Sequence, residues 1–352
     1  MTSAMLEVSS LSVIFPDRGY GPRALRGTEN SVVAVDDVSI QVNAREIVGV
    51  VGESGSGKST LCRVIAGLQQ ATTGSLRYAG KDLAQKRTLA DRRAIQMIFQ
   101  DPYTSLNPRL RIGYVLDEAL KVGGMAKADR LEAAKELLAS VGLPESVLHI
   151  RPSRLSGGQR QRVAIARALA VQPQVILADE VTSALDVSIQ AVIVDLLAKA
   201  TLDRGLTLVF VTHNLQVVRA LCQRVVVLHA GRVVEAGPVP EIFASPQHPY
   251  TRALLAAIPR LHRSASLLAE PTADESTTSA ERTALPQAEC HFRQLCPLAH
   301  ERCRQERPNL VAISAGHEVA CHAVGQPEPS GDTAPRMSSS TGDGGVPGDR
   351  RG

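Results

Sequence analysis

The 352-residue sequence is long enough for one large domain with an appendage or for two domains, and its 44% of hydrophobic residues suffices for a full core. A net charge of +4, without a block of Lys and Arg, gives no indication of a nucleic-acid partner. No secretory signal opens the sequence, and no apolar stretch approaches the roughly 20 residues that cross a bilayer, so we expect a cytoplasmic protein.

The first third of the sequence predicts strands around a glycine-rich turn. LEVSSLSVIF and VVAVDDVSIQV are rich in β-branched residues and predict two strands, with a polar, glycine-rich loop between them. EIVGVV predicts a buried strand that ends in a glycine-rich turn, after which KSTLCRVIAGL predicts a helix. AIQMIF predicts a further strand.

The middle of the sequence alternates helices with apolar strands. From about Arg111 to Leu155 the pattern is helical, and apolar residues recur there at spacings of three and four: Leu131, Ala134, Leu138 and Val141. The apolar runs QVILAD and LTLVFVT predict parallel strands covered on both faces. Together these elements predict an α/β fold with a helical insertion.

The composition changes after Pro259. The following segment is polar and rich in Ser, Thr and Ala, which predicts a linker over residues 261–288. A cysteine-rich segment, residues 289–324, comes next. Residues 325–352 are rich in Pro, Gly and Ser and predict a disordered tail.

A phosphate-binding motif lies between the strand EIVGVV and the helix after it. GESGSGKS fits the pattern G-x-x-x-x-G-K-[ST], in which backbone N–H groups and a helix N-terminus surround an anion. Lys58 can reach the β- and γ-phosphates of a nucleotide, and Ser59 can ligate Mg²⁺. We expect the nucleotide to contact the following residues: Gly52, Glu53, Ser54, Gly55, Ser56, Gly57, Lys58, Ser59 and Thr60.

Two acids follow the predicted strand VILAD. Asp179 and Glu180 emerge at its carboxyl end, where ligands of open α/β sheets bind. An acidic pair in this position is more often a helix cap or part of a solvated loop. Together with Lys58, the pair predicts that Asp179 holds the Mg²⁺ shell and that Glu180 orients the attacking water.

A second anion site is predicted in LSGGQRQRVAIARAL, where Ser156 and two glycines open a helix with free N–H groups and a hydroxyl. A Ser-capped helix without a ligand is the alternative. The segment resembles the signature motif of ABC ATPases, whose two nucleotide-binding domains face head to tail. The resemblance implies that each ATP lies between one phosphate loop and the partner's signature residues: Ser156, Gly157, Gly158 and Gln159.

The resemblance implies a P-loop NTPase fold: a RecA-like core, an antiparallel β subdomain and a helical subdomain over about residues 101–165, all within a domain of residues 1–260. It assigns Gln100 to a glutamine that contacts Mg²⁺, Asp186 to the dimer seam and His213 to the γ-phosphate. Phe15 is our candidate for stacking on adenine, with Tyr20 as a competitor. The expected catalytic residues are Glu180, His213, Gln100 and Lys58, and the expected Mg²⁺ ligands are Ser59, Gln100 and Asp179.

Two segments narrow the resemblance. FQDPYTSLNPR and SPQHPYTRALLAAIP are similar to hallmarks of the oligopeptide/dipeptide importers, whose relatives carry nickel, glutathione or oligosaccharides. This implies a peripheral ATPase on the cytoplasmic face of the inner membrane. Its implied partners are a second, different ATPase subunit, two transmembrane permease subunits and an extracytoplasmic solute-binding protein, with no nucleic acid.

Two positions depart from the family pattern. Val181 stands where Pro is usual, and Asn214 where Asp usually follows the switch histidine. Neither change removes a charge that holds phosphate or Mg²⁺, so we expect hydrolysis with an altered loop before Asp186.

The cysteine-rich segment predicts a metal centre. Four thiols suit an iron–sulfur cluster or Zn²⁺, and their wide, uneven spacing favours the larger cluster: Cys290, Cys296, Cys303 and Cys321. The importer resemblance implies a 4Fe–4S cluster. Zn²⁺, with His291, His300, His317 or His322 as substitute ligands, and metal-free packing stay open as alternatives.

Two other functions stay open. A soluble ABC ATPase acting on nucleic acid usually has coiled-coil insertions, fused domains or basic arms, and none is visible. A regulatory, non-hydrolysing subunit with a metal-sensing tail is disfavoured by Glu180, His213 and the intact signature.

Overall fold

The structure is a computed structural model that describes residues 4–16, 31–84, 86–183, 185–258 and 289–324. The strands are β1 Ala4–Pro16, β2 Ser31–Asn43, β3 Ile47–Val51, β4 Thr73–Tyr78, β5 Lys81–Asp82, β6 Ile95–Ile98, β7 Val175–Asp179, β8 Thr207–Val211, β9 Arg224–His229, β10 Arg232–Pro238, β11 Val311–Ser314 and β12 His317–Val319. The helices are α1 Lys58–Ile65, α2 Leu89–Ala94, α3 Pro102–Ser105, α4 Ile112–Gly123, α5 Arg130–Ser140, α6 Gly157–Ala170, α7 Val187–Arg204, α8 Leu215–Leu221, α9 Val239–Ala244, α10 Pro249–Ala256 and α11 Arg302–Gln305.

The larger sheet has the strand order β11-β12-β10-β9-β3-β8-β7-β6. Its centre is parallel, because β3 pairs in parallel with β8 and β9, and β7 pairs in parallel with β6 and β8. Every residue of β3, β7 and β8 is buried, as expected for strands that are covered on both faces. The parallel strands predicted from QVILAD and LTLVFVT are therefore confirmed.

The smaller sheet is antiparallel, with the order β2-β1-β4-β5. Its apolar residues, such as Leu6, Val8 and Val38, join one face of the larger sheet in a shared core that also contains α1. A second core fills the other face of the larger sheet, against helices α4 to α10. This arrangement holds α1 and the turn before it between the two sheets.

The helical insertion packs α4 against α5 and α6. In α5, Ala134 and Leu138 are buried, as is Val141 just after the helix. Leu131, which the spacing placed on the same face, is 64% exposed. That prediction is wrong: Leu131 lies in the first turn of α5 and belongs to neither hydrophobic core, whereas Leu137, next to Leu138, is buried.

The C-terminal residues 289–324 return to the larger sheet. β12 pairs antiparallel with β10, and β11 pairs with β12, so the sheet gains two strands. The predicted linker, the predicted tail and Tyr20 lie outside the described residues. None of the described helices has both the length and the apolar character needed to span a membrane.

Candidate nucleotide site

The glycine-rich turn between β3 and α1 has a backbone conformation that leaves no room for a side chain at some positions. Gly55 and Gly57 have φ values of 75° and 99°, in the left-handed region that favours glycine. A Cβ on Gly57 would lie 2.3 Å from the carbonyl oxygen of Ala34. The turn therefore needs glycine at this position for its conformation and for its close approach to β2.

Lys58 is folded back into this turn. Its side chain is 4% exposed, and Nζ donates hydrogen bonds to the carbonyl oxygens of Gly52 at 2.8 Å and Glu53 at 2.7 Å. Burial lowers the pKa of Lys58, while the carboxylates of Glu180 and Asp179 act in the opposite direction. The ammonium group is thus held by carbonyl groups of the loop itself, in the position from which a phosphate could take over those bonds.

Asp179 and Ser59 join the end of β7 to the start of α1. The Ser59 hydroxyl donates to Oδ1 of Asp179 at 2.8 Å. Asp179 is buried, and this burial raises the pKa of its carboxyl, whereas the Ser59 hydrogen bond lowers it. A hydroxyl next to a carboxylate is the set of hard oxygen donors that Mg²⁺ prefers, so these two residues fit the predicted metal.

Glu180 lies at the centre of the predicted catalytic residues. Gln100 Nε2 donates to its Oε2 at 3.2 Å, and His213 Nδ1 lies 3.8 Å from the same oxygen. Lys58 Nζ lies 3.9 Å from Oε1. The structure therefore brings together all four side chains that the sequence analysis selected.

The backbone of Glu180 has an unusual conformation. Its φ is 46°, although it is not glycine, and its N–H donates to the carbonyl oxygen of Val211 in β8 at 3.0 Å. Residues in this region cost about 1–3 kcal/mol and cluster at functional sites. This bond continues the pairing of β7 with β8, so Glu180 stands directly at the end of β7, beside the strand that leads to His213.

Ser156 begins α6 with a capping box. Its hydroxyl accepts from the N–H of Gln159 at 3.2 Å, and its own N–H donates to Gln159 Oε1 at 3.0 Å. The hydroxyl and the N–H of Ser156 therefore take part in the helix cap, and the role of this helix start as an anion site stays a prediction. Gly158 packs tightly against α7, because a Cβ there would lie 2.6 Å from Cγ2 of Ile189.

Comparison with known proteins agrees with this geometry. The family model described as ABC transporter matches residues 35–183, and the model for the C-terminal region of oligopeptide/dipeptide transporters matches residues 234–303. A "Probable peptide ABC transporter ATP-binding protein" of Sinorhizobium fredii is 43% identical over 327 residues, which cover 92% of this chain and 90% of the relative. The chain belongs to the ABC transporter family.

Solved structures of ABC ATPases have the same fold. The dimeric bacterial ABC transporter cassette MJ0796 is 31% identical, with a TM-score of 0.59 and coverage of 67% of this chain and 99% of that one. The same cassette, as a dimer in a post-hydrolysis state with ADP and Pi, gives a TM-score of 0.58 at 31% identity. The prediction of an ABC-type P-loop fold with mixed α/β content is confirmed, and the chain is an ATPase of this family.

Both residues at which this ABC ATPase departs from the family pattern, Asn214 and Val181, fit their local surroundings. The side chain of Asn214 caps α8 by accepting from the N–H groups of Gln216 at 3.0 Å and Val217 at 3.4 Å. Asn and Asp are about equally good in that role, so the helix start is preserved. Val181 is 2% exposed and packs in the core beside the helices, where an apolar side chain is well placed.

Two further predicted contacts can be located in the ABC ATPase. Asp186 lies directly before α7, where its carbonyl oxygen accepts from the N–H of Gln190 at 2.8 Å. Phe15 lies near the end of β1, opposite Val32, and is 38% exposed. The dimer contact of Asp186 and the stacking of Phe15 on adenine stay predictions.

The four C-terminal cysteines are free thiols. Burial raises the pKa of the thiols of Cys290, Cys296 and Cys321, and the neighbouring thiols raise it further. In the described residues, however, no group of three or more His, Cys, Asp or Glu side chains is placed to hold a metal ion. The structure therefore does not show the 4Fe–4S cluster or the Zn²⁺ site that the sequence predicts, and both stay predictions.

Tyr250 lies in the segment SPQHPYTRALLAAIP and contacts the glycine-rich turn, a role that the sequence does not predict. The Tyr250 hydroxyl accepts a hydrogen bond from the N–H of Glu53, in the glycine-rich turn, at 2.9 Å. The spacing of 197 residues gives no local signal for this contact.

Proposed function

We propose that this chain is the ATP-hydrolysing subunit of a peptide importer and that its reaction takes place at the cluster around Glu180. The observation that carries the proposal is the convergence of Lys58, Gln100 and His213 on Glu180. The hydrogen-bonded pair of Ser59 and Asp179 lies directly beside it, at the carboxyl end of β7. This is the edge at which α/β sheets bind their ligands.

The glycine-rich turn binds the phosphates of ATP. Its backbone N–H groups and the N-terminus of α1 favour an anion, and Lys58 exchanges the carbonyl oxygens of Gly52 and Glu53 for β- and γ-phosphate oxygens. Ser59 and Asp179, with Gln100, would hold Mg²⁺, which supplies charge neutralisation for the phosphates.

Hydrolysis depends on the side chains around Glu180. Its carboxylate accepts a hydrogen bond from the attacking water and orients it toward the γ-phosphate. Gln100 and His213 already approach the Glu180 carboxylate and hold it in position. His213, which is 60% exposed, reaches the γ-phosphate from the end of β8.

The signature residues act on the ATP of a partner. Ser156, Gly157 and Gly158 present the start of α6, and Asp186 lies at the seam between the two ATPase subunits. The dimeric cassettes of similar fold support a two-domain arrangement. A second, different ATPase subunit is our preferred partner.

Import of peptides is the function that the relatives support. The Sinorhizobium fredii relative is named for a peptide ABC transporter, and the oligopeptide/dipeptide transporter model matches residues 234–303. The chain would dock, on the cytoplasmic face of the inner membrane, to two permease subunits through the groove near Gln100, between the sheet and the helical insertion. An extracytoplasmic solute-binding protein would deliver the peptide.

We further propose that residues 1–260 form the ATPase domain and that residues 289–324 form an extension that carries a cysteine centre. The four thiols would become thiolates and hold an iron–sulfur cluster, whose larger size suits donors that are spaced more widely than around one ion. The anaerobically purified protein is then brown and contains iron. A colourless protein with one zinc per chain supports the alternative, and a metal-free protein refutes both.

The import function can be tested in the host cell. A strain lacking this chain is complemented with the wild type, with Lys58→Ala, or with the control Lys199→Ala, which alters an exposed ion pair with Asp195. We expect the wild type and the control to restore uptake of a radiolabelled mixture of di- and oligopeptides, and Lys58→Ala to restore none. Undiminished uptake in the deletion strain would refute peptide import.

A further inference from the structure

The phosphate-binding turn is contacted by a buried residue from the C-terminal part of the ATPase domain. Tyr250, in α10, is 1% exposed, and its hydroxyl oxygen accepts a hydrogen bond from the N–H of Glu53 at 2.9 Å. Glu53 is the second residue of the GESGSGKS motif. The contact therefore reaches the backbone of the turn itself.

The peptide unit between Gly52 and Glu53 is held on both sides. Its N–H donates to Tyr250, and its C=O accepts from Lys58 Nζ at 2.8 Å. Because a trans peptide unit is planar, its N–H and C=O point in opposite directions, so these two bonds together fix the orientation of the plane. When Lys58 turns to the phosphates, the Tyr250 bond still restrains this plane.

Tyr250 is itself held by its neighbours in the HPYT segment. Its N–H donates to Nδ1 of His248 at 3.0 Å, which caps α10. The buried carboxylate of Glu235 accepts from the N–H groups of Gln247 at 2.8 Å and His248 at 3.0 Å. The segment before Tyr250 is thus anchored to β10 of the larger sheet.

The C-terminal extension completes the surroundings of Tyr250. The ring of Phe292 packs edge-on against Tyr250, with a centroid distance of 5.5 Å and an angle of 64°. His317, in β12, places Nε2 2.9 Å from Oε1 of Glu235. Phe292 lies two residues after Cys290, so the extension touches Tyr250 close to its cysteine cluster.

We propose that Tyr250 is a positioning residue for the phosphate-binding turn and that Phe292 of the C-terminal extension holds it there. This inference rests on the proposed nucleotide site. The hydroxyl of Tyr250 orients the Gly52–Glu53 peptide unit before ATP arrives, and the extension raises ATP affinity by restricting the tyrosine ring. The hydrolysis step itself needs neither side chain.

The hydroxyl is tested with Tyr250→Phe, which keeps the ring and its packing. The matched control is Tyr78→Phe, which removes a hydroxyl that donates to Gln174 Oε1 at 2.5 Å, on the smaller sheet. We expect Tyr250→Phe to raise the Kd and KM for ATP by about 3- to 10-fold, with kcat changed less than about 2-fold. Tyr78→Phe should change none of these constants.

Lys58→Ala separates failure of this inference from failure of the proposed site. If Lys58→Ala abolishes ATP binding while Tyr250→Phe binds ATP like the wild type, the site stands and the role of Tyr250 is refuted. If Lys58→Ala binds ATP normally, the proposed site is wrong. A lower melting temperature of Tyr250→Phe at unchanged Kd also refutes positioning, because it indicates a contribution to stability alone.

The role of Phe292 is tested with Phe292→Leu and the double variant. We expect Phe292→Leu to weaken ATP binding by about 2- to 5-fold and the double variant to be no weaker than Tyr250→Phe alone, because both changes act on the same hydrogen bond. Effects on the Kd that multiply in the double variant would mean that the extension does not act through Tyr250.

Discussion

The most quantitative prediction concerns His248, which caps the helix that carries Tyr250. His248 is 2% exposed, and its Nδ1 accepts the hydrogen bond from Tyr250 N–H, so this nitrogen is unprotonated in the folded protein. Burial lowers the pKa of His248 to about 3, and the nearby His229 acts in the same direction. An unfolded chain restores the ordinary value of about 6.5.

The sign of the effect on stability follows from this difference. Between pH 6.5 and 3 the unfolded chain binds a proton at His248 and the folded chain does not, so stability falls as the pH is lowered through this window. The two pKa values give a loss of about 2 kcal/mol in the free energy of unfolding between pH 7 and pH 5 from this one residue.

The assay compares urea unfolding of the wild type and His248→Asn at pH 7 and pH 5. Asparagine can cap the helix through its amide oxygen but does not titrate, so it controls for the other groups that do. We expect the wild type to lose about 2 kcal/mol more than the variant between the two pH values. Equal losses would show that His248 is not buried in its neutral form.

Three further predictions concern the turn, a helix start and a thiol. Gly57→Ala should lower the free energy of unfolding by about 1–3 kcal/mol in urea titrations, because Gly57 has φ +99° and an added Cβ would clash with the carbonyl oxygen of Ala34. A variant as stable as the wild type would contradict this geometry. Asn214→Ala should cost about 1 kcal/mol in the same titrations and Asn214→Asp almost nothing, whereas equal losses would exclude the cap. Burial raises the pKa of Cys222 to about 12, so its thiol should not react with iodoacetamide at pH 8 until the protein is unfolded. Mass spectrometry measures the labelling, and rapid labelling of the folded protein would contradict the burial of Cys222.

Sequence reasoning succeeded where chemistry restricts the choice of residue. The turn before Lys58 needs glycine at positions with positive φ, and the acids after β7 must stand at the edge of the sheet where ligands bind. Both constraints are local and visible as spacing. The apolar runs of β7 and β8 were equally readable, because a strand buried on both faces has no polar alternation.

The remaining features depend on contacts between distant parts of the chain. β12 pairs with β10, about eighty residues earlier, and its three-residue run carries no distinctive pattern. The hydrogen bond from Glu53 to Tyr250 crosses 197 positions and involves a backbone N–H that any residue has. Leu131 was predicted to share the buried face of α5 but is exposed, because periodicity shows the face of a helix and not which of its turns pack against other elements.

The central claim is that ATP is hydrolysed at Glu180, and Glu180→Gln tests it most directly in the transporter complex purified from native membranes. ATP turnover is measured together with ATP binding, and Glu7→Gln, a surface change on the smaller sheet, is the control. We predict that Glu180→Gln binds ATP like the wild type and turns it over at least about 10²-fold more slowly, while the control is unaffected. Turnover by Glu180→Gln at the wild-type rate would contradict the claim.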